Sequence, residues 1–454
     1  MNTTYTYNSQ SEITTKENGK EIFLSHFNES YAIEEKPCFF WGKLQQPYVI
    51  ARSLLMLSKI VSSNFMPTSS AMRDPVITSG GNKLRFEAFS GCCSIYGKVD
   101  VLPKAMDGEF LEQGTTNVDF NPDMISALSQ IGRDEKVFFS VGKKDFVLQK
   151  SNKKVVEKKV SLPTRWIKGM ANVQQISAEM NKVFTFNKLQ TQLFFRAIPK
   201  GTLKNDYYLK QLGTKPMLSP VKSKGAICIG GLHRLRVVEG ILPLTKELHV
   251  FDNYEKGVAF QFILEDVRFT VTLSRSHWRG FSGEGSTLEN LLEDIPEAWI
   301  QKLDEFAQIK EEFSEKNEVF QELEQANFKH VCARLASIGL LGFDLHDQQY
   351  YYRKLPFKLE RIESLNPRYK NALKILAKNK YEITDITDQG IKVLVEGSGL
   401  KHRIVLDDKT AKCTCTWYAE HQGKRGDCKH ILVAKTLKNN SEKQIADLLK
   451  EFEL

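Results

Sequence analysis

Two short pairs of metal-binding residue types near the end of the chain constrain its fold more than any other feature. Cys413 and Cys415 form a C-x-C pair, and Cys428 and His430 form a C-x-H pair after twelve intervening residues. Three thiolates and one imidazole fill the tetrahedral coordination sphere of Zn²⁺. Eight cysteines scattered over 454 residues would seldom place three of them beside one histidine in two such pairs. The spacing therefore predicts a structural zinc site.

The residues around the two pairs indicate which elements carry them. Alternate residues of a strand point to opposite faces, so a C-x-C pair is expected where the chain turns out of a strand. Two hairpins are predicted upstream, the second running from Lys401 to Cys415. The apolar run that follows Cys428 predicts a helix, whose positive N-terminal end favours a metal-bound thiolate. We expect a finger over about residues 401–438.

The order of the ligands and these surrounding elements resemble the SWIM zinc finger, a small ββα module. The resemblance covers all four ligand positions and about the last seventy residues of the chain. It implies that Cys413, Cys415, Cys428 and His430 hold the metal. SWIM fingers in general are regarded as DNA-, RNA- or protein-binding modules, so the resemblance implies a nucleic acid or a protein as partner.

Basic residues are concentrated on the predicted finger. Residues 401–438 carry nine Lys and Arg against four Asp and Glu, a net charge of +5 out of +9 for the whole chain. Such a surface suits a polyanion, although a solvated lysine-rich surface explains it equally well. The candidate contacts for nucleic acid or a partner protein are Lys412, Lys424, Arg425, Lys429 and Lys435.

Length and composition argue against a secreted protein and against a membrane-spanning one. At 454 residues the chain is long enough for two to four domains with cores of their own. Its first residues are polar and show no secretory signal, and the apolar stretch from Tyr48 to Val61 is interrupted by Arg52 and Lys59 and too short to span a bilayer. We expect a soluble cytoplasmic protein with no membrane contact and with the remaining cysteines reduced.

The patterning predicts an α+β multidomain chain. Residues 1–30 read as a flexible tail, followed by a mixed α+β domain over 31–150 with a helix at 47–61. A lysine-rich segment at 150–159 marks a domain boundary, and 160–356 reads as a middle α+β domain containing an antiparallel meander over 248–273. The last domain, 357–454, carries the finger.

A helix followed by a hairpin closes the predicted middle domain. The helix reaches Ala336 and is stopped by Gly339, and two short strands follow at 340–343 and 349–355. This layout is that of a winged helix, which often binds DNA. A purely structural helix and hairpin fits the same pattern.

An enzymatic alternative rests on two groups of polar residues. His277 and Glu284 flank a loop with three glycines, and a general base could be built from them. Asp100, Asp119 and Asp123 are the other candidates for a hydrolase or nuclease. No nucleophile, metal triad or phosphate-loop spacing accompanies His277 and Glu284, so a structural loop is the simpler interpretation there.

Several upstream stretches are also similar to a family of bacterial proteins that end in a SWIM finger. They are RFEAFSGCCSIYGKVDVL, GTTNVDFNP, LPTRWIKGMANV, RSHWRGFSGEG and GFDLHDQQYYYRKLPF. Members of that family are typically encoded beside a MoxR-type AAA+ ATPase and von Willebrand factor A domain proteins. The resemblance implies a role in a multi-component, ATP-driven system and supplies no catalytic residues. We therefore expect a non-enzymatic adaptor.

Overall fold

A computed structural model gives the arrangement of most of the chain. It describes residues 12–16, 19–24, 39–63, 75–117, 120, 122–141, 164–254, 256–275, 280–282, 306, 311–314, 325–353, 355, 367–387, 389–397, 399–407, 410–423 and 426–439.

The first helix follows the apolar spacing predicted for residues 47–61. Pro47 begins the first helix, as its fixed φ favours, and eleven of that helix's sixteen residues are buried. The helices are α1 Pro47–Ser62, α2 Pro122–Ser129, α3 Thr164–Ala178, α4 Lys188–Ala197, α5 Gln325–Ser337, α6 Pro367–Ala377, α7 Thr416–His421 and α8 Lys429–Asn439. A run of 3-10 turns covers Leu232–Leu244.

The strands within the described residues form five sheets. In chain order they are β1 Glu12–Lys16, β2 Gly19–Leu24, β3 Phe40–Leu44, β4 Val76–Gly80, β5 Lys83–Phe89, β6 Ile95–Val101, β7 Met106–Phe110, β8 Gly114–Asn117, β9 Val137–Val141, β10 Asn181–Asn187, β11 Tyr207–Leu212, β12 Lys215–Ser219, β13 Ile227–Ile229, β14 Glu247–Asn253, β15 Gly257–Ile263, β16 Val267–Ser274, β17 Glu312–Phe313, β18 Leu341–Asp344, β19 Gln349–Tyr352, β20 Tyr381–Thr387, β21 Gly390–Glu396, β22 Lys401–Asp407 and β23 Ala411–Cys413.

The chain folds into two compact units. The first contains residues 1–282, 310–314 and 339–356, and the second contains 283–309, 315–338 and 357–454. The chain therefore passes between the units several times. The four residues of the predicted metal site all belong to the second unit.

An eight-stranded sheet forms the centre of the first unit, in the order β10-β14-β15-β16-β6-β5-β4-β8. The predicted meander over 248–273 is confirmed as β14, β15 and β16. β16 pairs antiparallel with β6, with Phe269 opposite Val99. Because β6 lies before the lysine-rich segment and β16 after it, the boundary predicted at 150–159 runs through one continuous sheet.

A second sheet of the first unit uses residues from the predicted flexible tail. Its order is β1-β2-β9-β3-β7, and β2 pairs parallel with β9, with Ile22 opposite Phe139. Residues 12–16 and 19–24 are thus strands, and the prediction of a flexible tail is wrong for them. The partner predicted for β9 in a hairpin, 146–148, lies outside the described residues.

One face of the eight-stranded sheet packs against α1 in an ordinary apolar core. A Cβ placed on Gly97 of β6 would lie 2.8 Å from the Cδ1 atoms of Leu57 and Ile60. The helix can therefore approach the strand closely only because position 97 is glycine. The strand residues on this face, such as Phe86 and Val99, are fully buried.

The opposite face of the same sheet carries charged side chains, most of which are also buried. Arg85, Asp100 and Arg268 lie opposite one another on β5, β6 and β16. Lys98, two residues before Asp100 on β6, places its Nζ 3.1 Å from the Asp100 Oδ1. Glu87 stands on this face two residues after Arg85. Buried charges are tolerated when they are paired, so this face requires charged partners.

The small sheet β17-β19-β18 supplies those partners. Glu312 of β17 accepts hydrogen bonds from Arg85 and from Lys83, whose Nζ lies 3.0 Å from the Glu312 Oε2. Asp347, in the turn between β18 and β19, accepts from Lys83 and Arg268 at 2.9 Å each. The small sheet is therefore held on the large one by ion pairs.

A second buried ion pair joins Glu87 to Arg353, and both side chains are fully buried. The Tyr96 hydroxyl and the Gln174 amide also donate to the Glu87 carboxylate. Burial by itself raises the pKa of Glu87, but the charges of Arg353 and Lys98 outweigh it and lower the pKa below its ordinary value. Glu87 therefore stays ionised inside the protein.

The second unit contains the four-stranded sheet β20-β21-β22-β23. Both predicted hairpins are confirmed, with Val393 opposite Ile404 between them. α8 packs on β21 and β22, and α6 packs on α8. Their apolar residues form one core that also includes Cys413, Cys415 and Cys428.

The predicted helix and hairpin of the winged-helix interpretation both form, as α5 and as β18–β19. The helix belongs to the second unit and the hairpin to the first. In the hairpin, β19 pairs with β18 on one side and with β17 on the other. A winged helix stays a prediction for this segment.

In the part of the chain that the structure describes, no helix is long and apolar enough to cross a membrane.

Candidate metal centre

The first ligand pair stands where the edge strand β23 ends. Cys413 is the last residue of β23 and lies opposite Ile404 of β22. Cys415 follows after one residue in an extended conformation and caps the short helix α7, whose Ala419 N–H donates to the Cys415 carbonyl at 3.0 Å. The predicted turn out of a strand is thus confirmed, and it brings both sulfurs to the same side.

The second pair stands at the start of α8, as predicted. The backbone N–H of Ile431 donates to the Cys428 Sγ at 3.4 Å, and the N–H of Leu432 donates to the Cys428 carbonyl at 3.1 Å. The Cys428 sulfur therefore faces the positive end of the helix, which would stabilise a thiolate bound to a metal ion. His430 lies in the first turn of the helix and is 4 % exposed.

Three residues with positive φ lie in the segment that joins the Cys413–Cys415 pair to the Cys428–His430 pair. Gln422, Gly423 and Gly426 have φ values of 44°, 77° and 74°. Glycine adopts this region without the cost that a Cβ imposes, which explains two of the three positions. The loop can then return the chain so that the second pair faces the first.

The four side chains converge on one point. The Sγ atoms of the three cysteines and a ring nitrogen of His430 all lie within 4.8 Å of one another, and all four residues are buried. The Cys413 Sγ is 3.8 Å from the His430 Nδ1. Tetrahedral coordination with metal–sulfur bonds of about 2.3 Å places neighbouring ligand atoms about 3.7 Å apart. The cluster can therefore hold a metal ion.

Without a cation, this environment favours the neutral forms of Cys415, Cys428 and His430. Contact with Cys413, followed by burial, raises the pKa of the Cys428 thiol strongly, and burial raises that of Cys415. Burial lowers the pKa of His430 to about 4, and the charges of His402 and Lys429 add to the effect. A bound cation reverses this preference for the thiols, so metal binding displaces protons.

The Nε2 atom of His430 lies in a tightly packed region beside His402 and Gly397. The ring of His402 lies 4.4 Å from that of His430, centre to centre. A Cβ placed on Gly397 would lie 2.6 Å from the His402 Nε2 and 3.2 Å from the His430 Nε2. Within the described residues the His430 Nε2 has no hydrogen-bond partner. The Nδ1 atom, which faces Cys413, is therefore the candidate ligand atom.

Arg368 of α6 fixes the turn before the second pair. Its guanidinium donates to the carbonyls of Gly426 and Asp427 at 3.2 and 2.5 Å, and it stacks on the ring of Trp417 at 4.7 Å. The Trp417 indole N–H donates to the same Gly426 carbonyl at 3.4 Å. No spacing links Arg368 to the ligands, so the sequence did not reveal it. It is a positioning residue for Cys428.

The predicted contact residues have different environments. Lys412 is exposed on β23. Lys429 is half-buried at the start of α8, and Lys435 pairs with the buried Asp427 at 2.7 Å. Lys435 thus already has an anionic partner inside the domain, which the sequence did not reveal. Lys424 and Arg425 lie outside the described residues.

The residues of the enzymatic alternative are mostly beyond what the structure describes. His277, Glu284 and Asp119 lie outside the described residues, as does the side chain of Asp123. Asp100 is 1 % exposed and pairs with Lys98 within the charged layer of the sheet. The hydrolase or nuclease interpretation stays a hypothesis.

Comparison with known proteins identifies no family. No protein-family model matches the chain, and no curated protein matches it. Among solved structures, the proliferating cellular nuclear antigen of Entamoeba histolytica is similar with 11% identity, over 52% of this chain and 98% of that chain, at a TM-score of 0.34. The PCNA2–PCNA3 complex from Sulfolobus tokodaii gives 7% identity, 52% and 99% coverage, and a TM-score of 0.33. TM-scores this low carry no argument about fold or function.

Proposed function

We propose that the second unit is a non-enzymatic adaptor module whose fold is closed by a structural Zn²⁺ at Cys413, Cys415, Cys428 and His430. The observation that carries this proposal is the convergence of three buried sulfurs and one imidazole within 4.8 Å. A donor set of three thiolates and one imidazole is typical of structural zinc sites. When bound, the ion cross-links strand β23, helix α7 and helix α8.

Four protein ligands support a structural role. A catalytic zinc keeps one coordination position for water or substrate, whereas a site with four protein ligands leaves none. The cluster is also buried under the apolar core of the domain. The residues of this chain hold the ion and fix the geometry of the hairpin β22–β23.

The surface that the ion would stabilise suggests the kind of partner. Arg403 of β22 and Lys412 of β23 are exposed, and neither pairs with a carboxylate of the described residues. Val405 lies opposite Lys412, so Arg403 and Lys412 share the outer face of the hairpin. We propose that this face contacts nucleic acid or a partner protein. The family resemblance extends the proposal to a MoxR-type ATPase or a von Willebrand factor A domain protein.

The test measures metal content and partner binding on the same intact protein. We expect one zinc per chain by elemental analysis after purification. The double substitution Arg403→Glu and Lys412→Glu should retain the zinc, because both side chains are exposed. The variant should bind less of the proposed partner protein or of nucleic acid than the wild type does. For duplex DNA, two lost phosphate contacts lower the slope of log K against log salt by about 1.8. Purified protein without bound zinc would refute the metal site, and unchanged binding would refute the contact face.

A further inference from the structure

One continuous segment of the first unit carries a large excess of positive over negative side chains. Residues 181–224 carry nine Lys and Arg and a single acid, Asp206, which gives a net charge of +8 against +9 for the whole chain. We call this segment the basic lobe. It belongs entirely to the first unit.

The basic lobe has a defined scaffold. It contains the edge strand β10, the helix α4 and the hairpin β11–β12, and β11 pairs on its other side with β13. Helix α4 turns Phe194 and Phe195 inward, where Phe194 stacks on Phe260 at 5.7 Å. It also packs against β12. The lobe therefore holds its charged side chains on packed elements.

The cations of the basic lobe are exposed and uncompensated. Eight of the nine are exposed, and Lys210 is half-buried. None of them pairs with a carboxylate of the described residues, while the lone acid, Asp206, accepts a hydrogen bond from Cys228 at 3.5 Å. The nine are Lys182, Lys188, Arg196, Lys200, Lys204, Lys210, Lys215, Lys222 and Lys224. Like charges at this density, without counter-charges, create a strong positive potential over the lobe.

The sheet of the basic lobe also presents a mixed outer face. In the register of the hairpin, Lys210 lies opposite Met217, and Leu212 lies opposite Lys215. Tyr208 stands on the same face, two residues before Lys210. Lys215 is exposed, and Lys210 and Tyr208 are half-buried. Cations beside an aromatic ring and flexible apolar side chains form the kind of surface on which a phosphate backbone and its bases can lie.

From these observations we propose that the basic lobe binds the phosphate backbone of a nucleic acid. Its charge is spread over a helix, a hairpin and the adjoining loops, which suits a polymer of evenly repeated negative charge. A helix that lies on a membrane turns its continuous apolar face outward. Helix α4 turns that face inward, and its exposed Leu189 and Leu193 stand between Lys188 and Arg196.

This surface is independent of the metal centre. It lies in the other compact unit and uses none of the zinc ligands or of the contacts proposed for the finger. Removal of the metal should therefore leave binding by the basic lobe in place. Failure of one proposal would not affect the other.

The test compares two triple charge reversals in the intact, metal-loaded protein. The lobe variant is Lys215→Glu, Lys222→Glu and Lys224→Glu. The control is Lys59→Glu, Lys104→Glu and Lys136→Glu, which changes three exposed lysines of the same unit by the same total charge. All six are exposed, so both variants should fold, which a thermal melt verifies.

Binding is measured by fluorescence anisotropy with labelled duplex and single-stranded oligonucleotides over a range of salt concentrations. The lobe variant should lose at least about tenfold in affinity at low salt, and its salt slope should fall by up to about 2.7 for duplex DNA, about 0.9 for each lost contact. The control should keep the wild-type slope. Equal losses in both variants, or no binding by the wild type, would overturn the proposal. Lobe-dependent binding to phosphatidylserine vesicles but not to oligonucleotides would overturn it as well.

Discussion

Replacing Cys428 with serine should abolish tight metal binding and unfold the finger. Replacing a residue that only hydrogen-bonds to a metal ligand costs about 10- to 100-fold in metal affinity. Replacing a thiolate ligand itself should lower the affinity by more than the upper end of that range. Cys428 is 2 % exposed and lies in the core of the domain, so the polar hydroxyl also leaves a poorly satisfied group there. The cost should appear as lost folding, because the binding energy of a structural zinc, about 10–16 kcal/mol, is folding energy.

Titration with Co²⁺ measures this effect directly, since thiolate–cobalt coordination gives an absorption band that reports the number of sulfur ligands. The matched control is Cys228→Ser, which replaces a half-exposed cysteine of the first unit. The control should bind cobalt as the wild type does. Unchanged cobalt affinity and spectrum in the Cys428→Ser variant would contradict the assignment of this ligand.

Replacing Arg353 with leucine should strongly destabilise the first unit. Glu87 would then be fully buried without its cationic partner, and breaking such a buried pair costs about 3–5 kcal/mol. For a unit of this size that corresponds to a fall of about 5–8 °C in Tm, from an unfolding entropy of about 2.1 cal/mol/K per residue. The companion double variant Glu87→Gln with Arg353→Met removes both charges and should recover more than half of the loss, because neutral side chains carry no buried charge.

Calorimetry of the intact protein separates this effect from the metal site. A chelator should shift only the transition of the metal-containing unit, and Arg353→Leu should shift only the other one. The pH dependence gives an independent check, because the pKa of Glu87 is lowered in the folded protein. Its stabilising contribution is then present above its ordinary pKa of 4.5 and disappears as the pH falls through the lower folded value. A Tm unchanged by Arg353→Leu would show that the pair contributes nothing.

The parts of the fold that the sequence predicted are those set by local pattern. Pro47 and its apolar spacing defined α1, and the short turns of the last domain defined both of its hairpins. The four residues of the candidate metal site were predicted because a metal needs a fixed set of residue types close together, and the structure brings them together. Arg368, which fixes the turn before Cys428, has no such local signal.

Pairing between strands that are far apart in the sequence explains why other parts of the fold were not predicted. Strand β2 pairs with β9 and β6 pairs with β16, each across more than a hundred residues, so the sequence predicted neither the strands at 12–16 and 19–24 nor the continuity of the large sheet across residues 150–159. The alternation of Lys83, Arg85 and Glu87 with apolar residues is typical of a strand with one face in water. The structure buries that face under β17–β19, because the acids of the small sheet pair with its cations.

Hydrogen exchange with and without a metal chelator tests the central claim most directly. Backbone amides of α6, α8 and β20–β23 should be protected in the metal-loaded protein and lose that protection after chelation, because the ion holds this domain folded. The amides of α1 and of the eight-stranded sheet should keep their protection. If chelation leaves the exchange of residues 367–439 unchanged, the metal does not hold this domain together, and a structural zinc at Cys413, Cys415, Cys428 and His430 is ruled out.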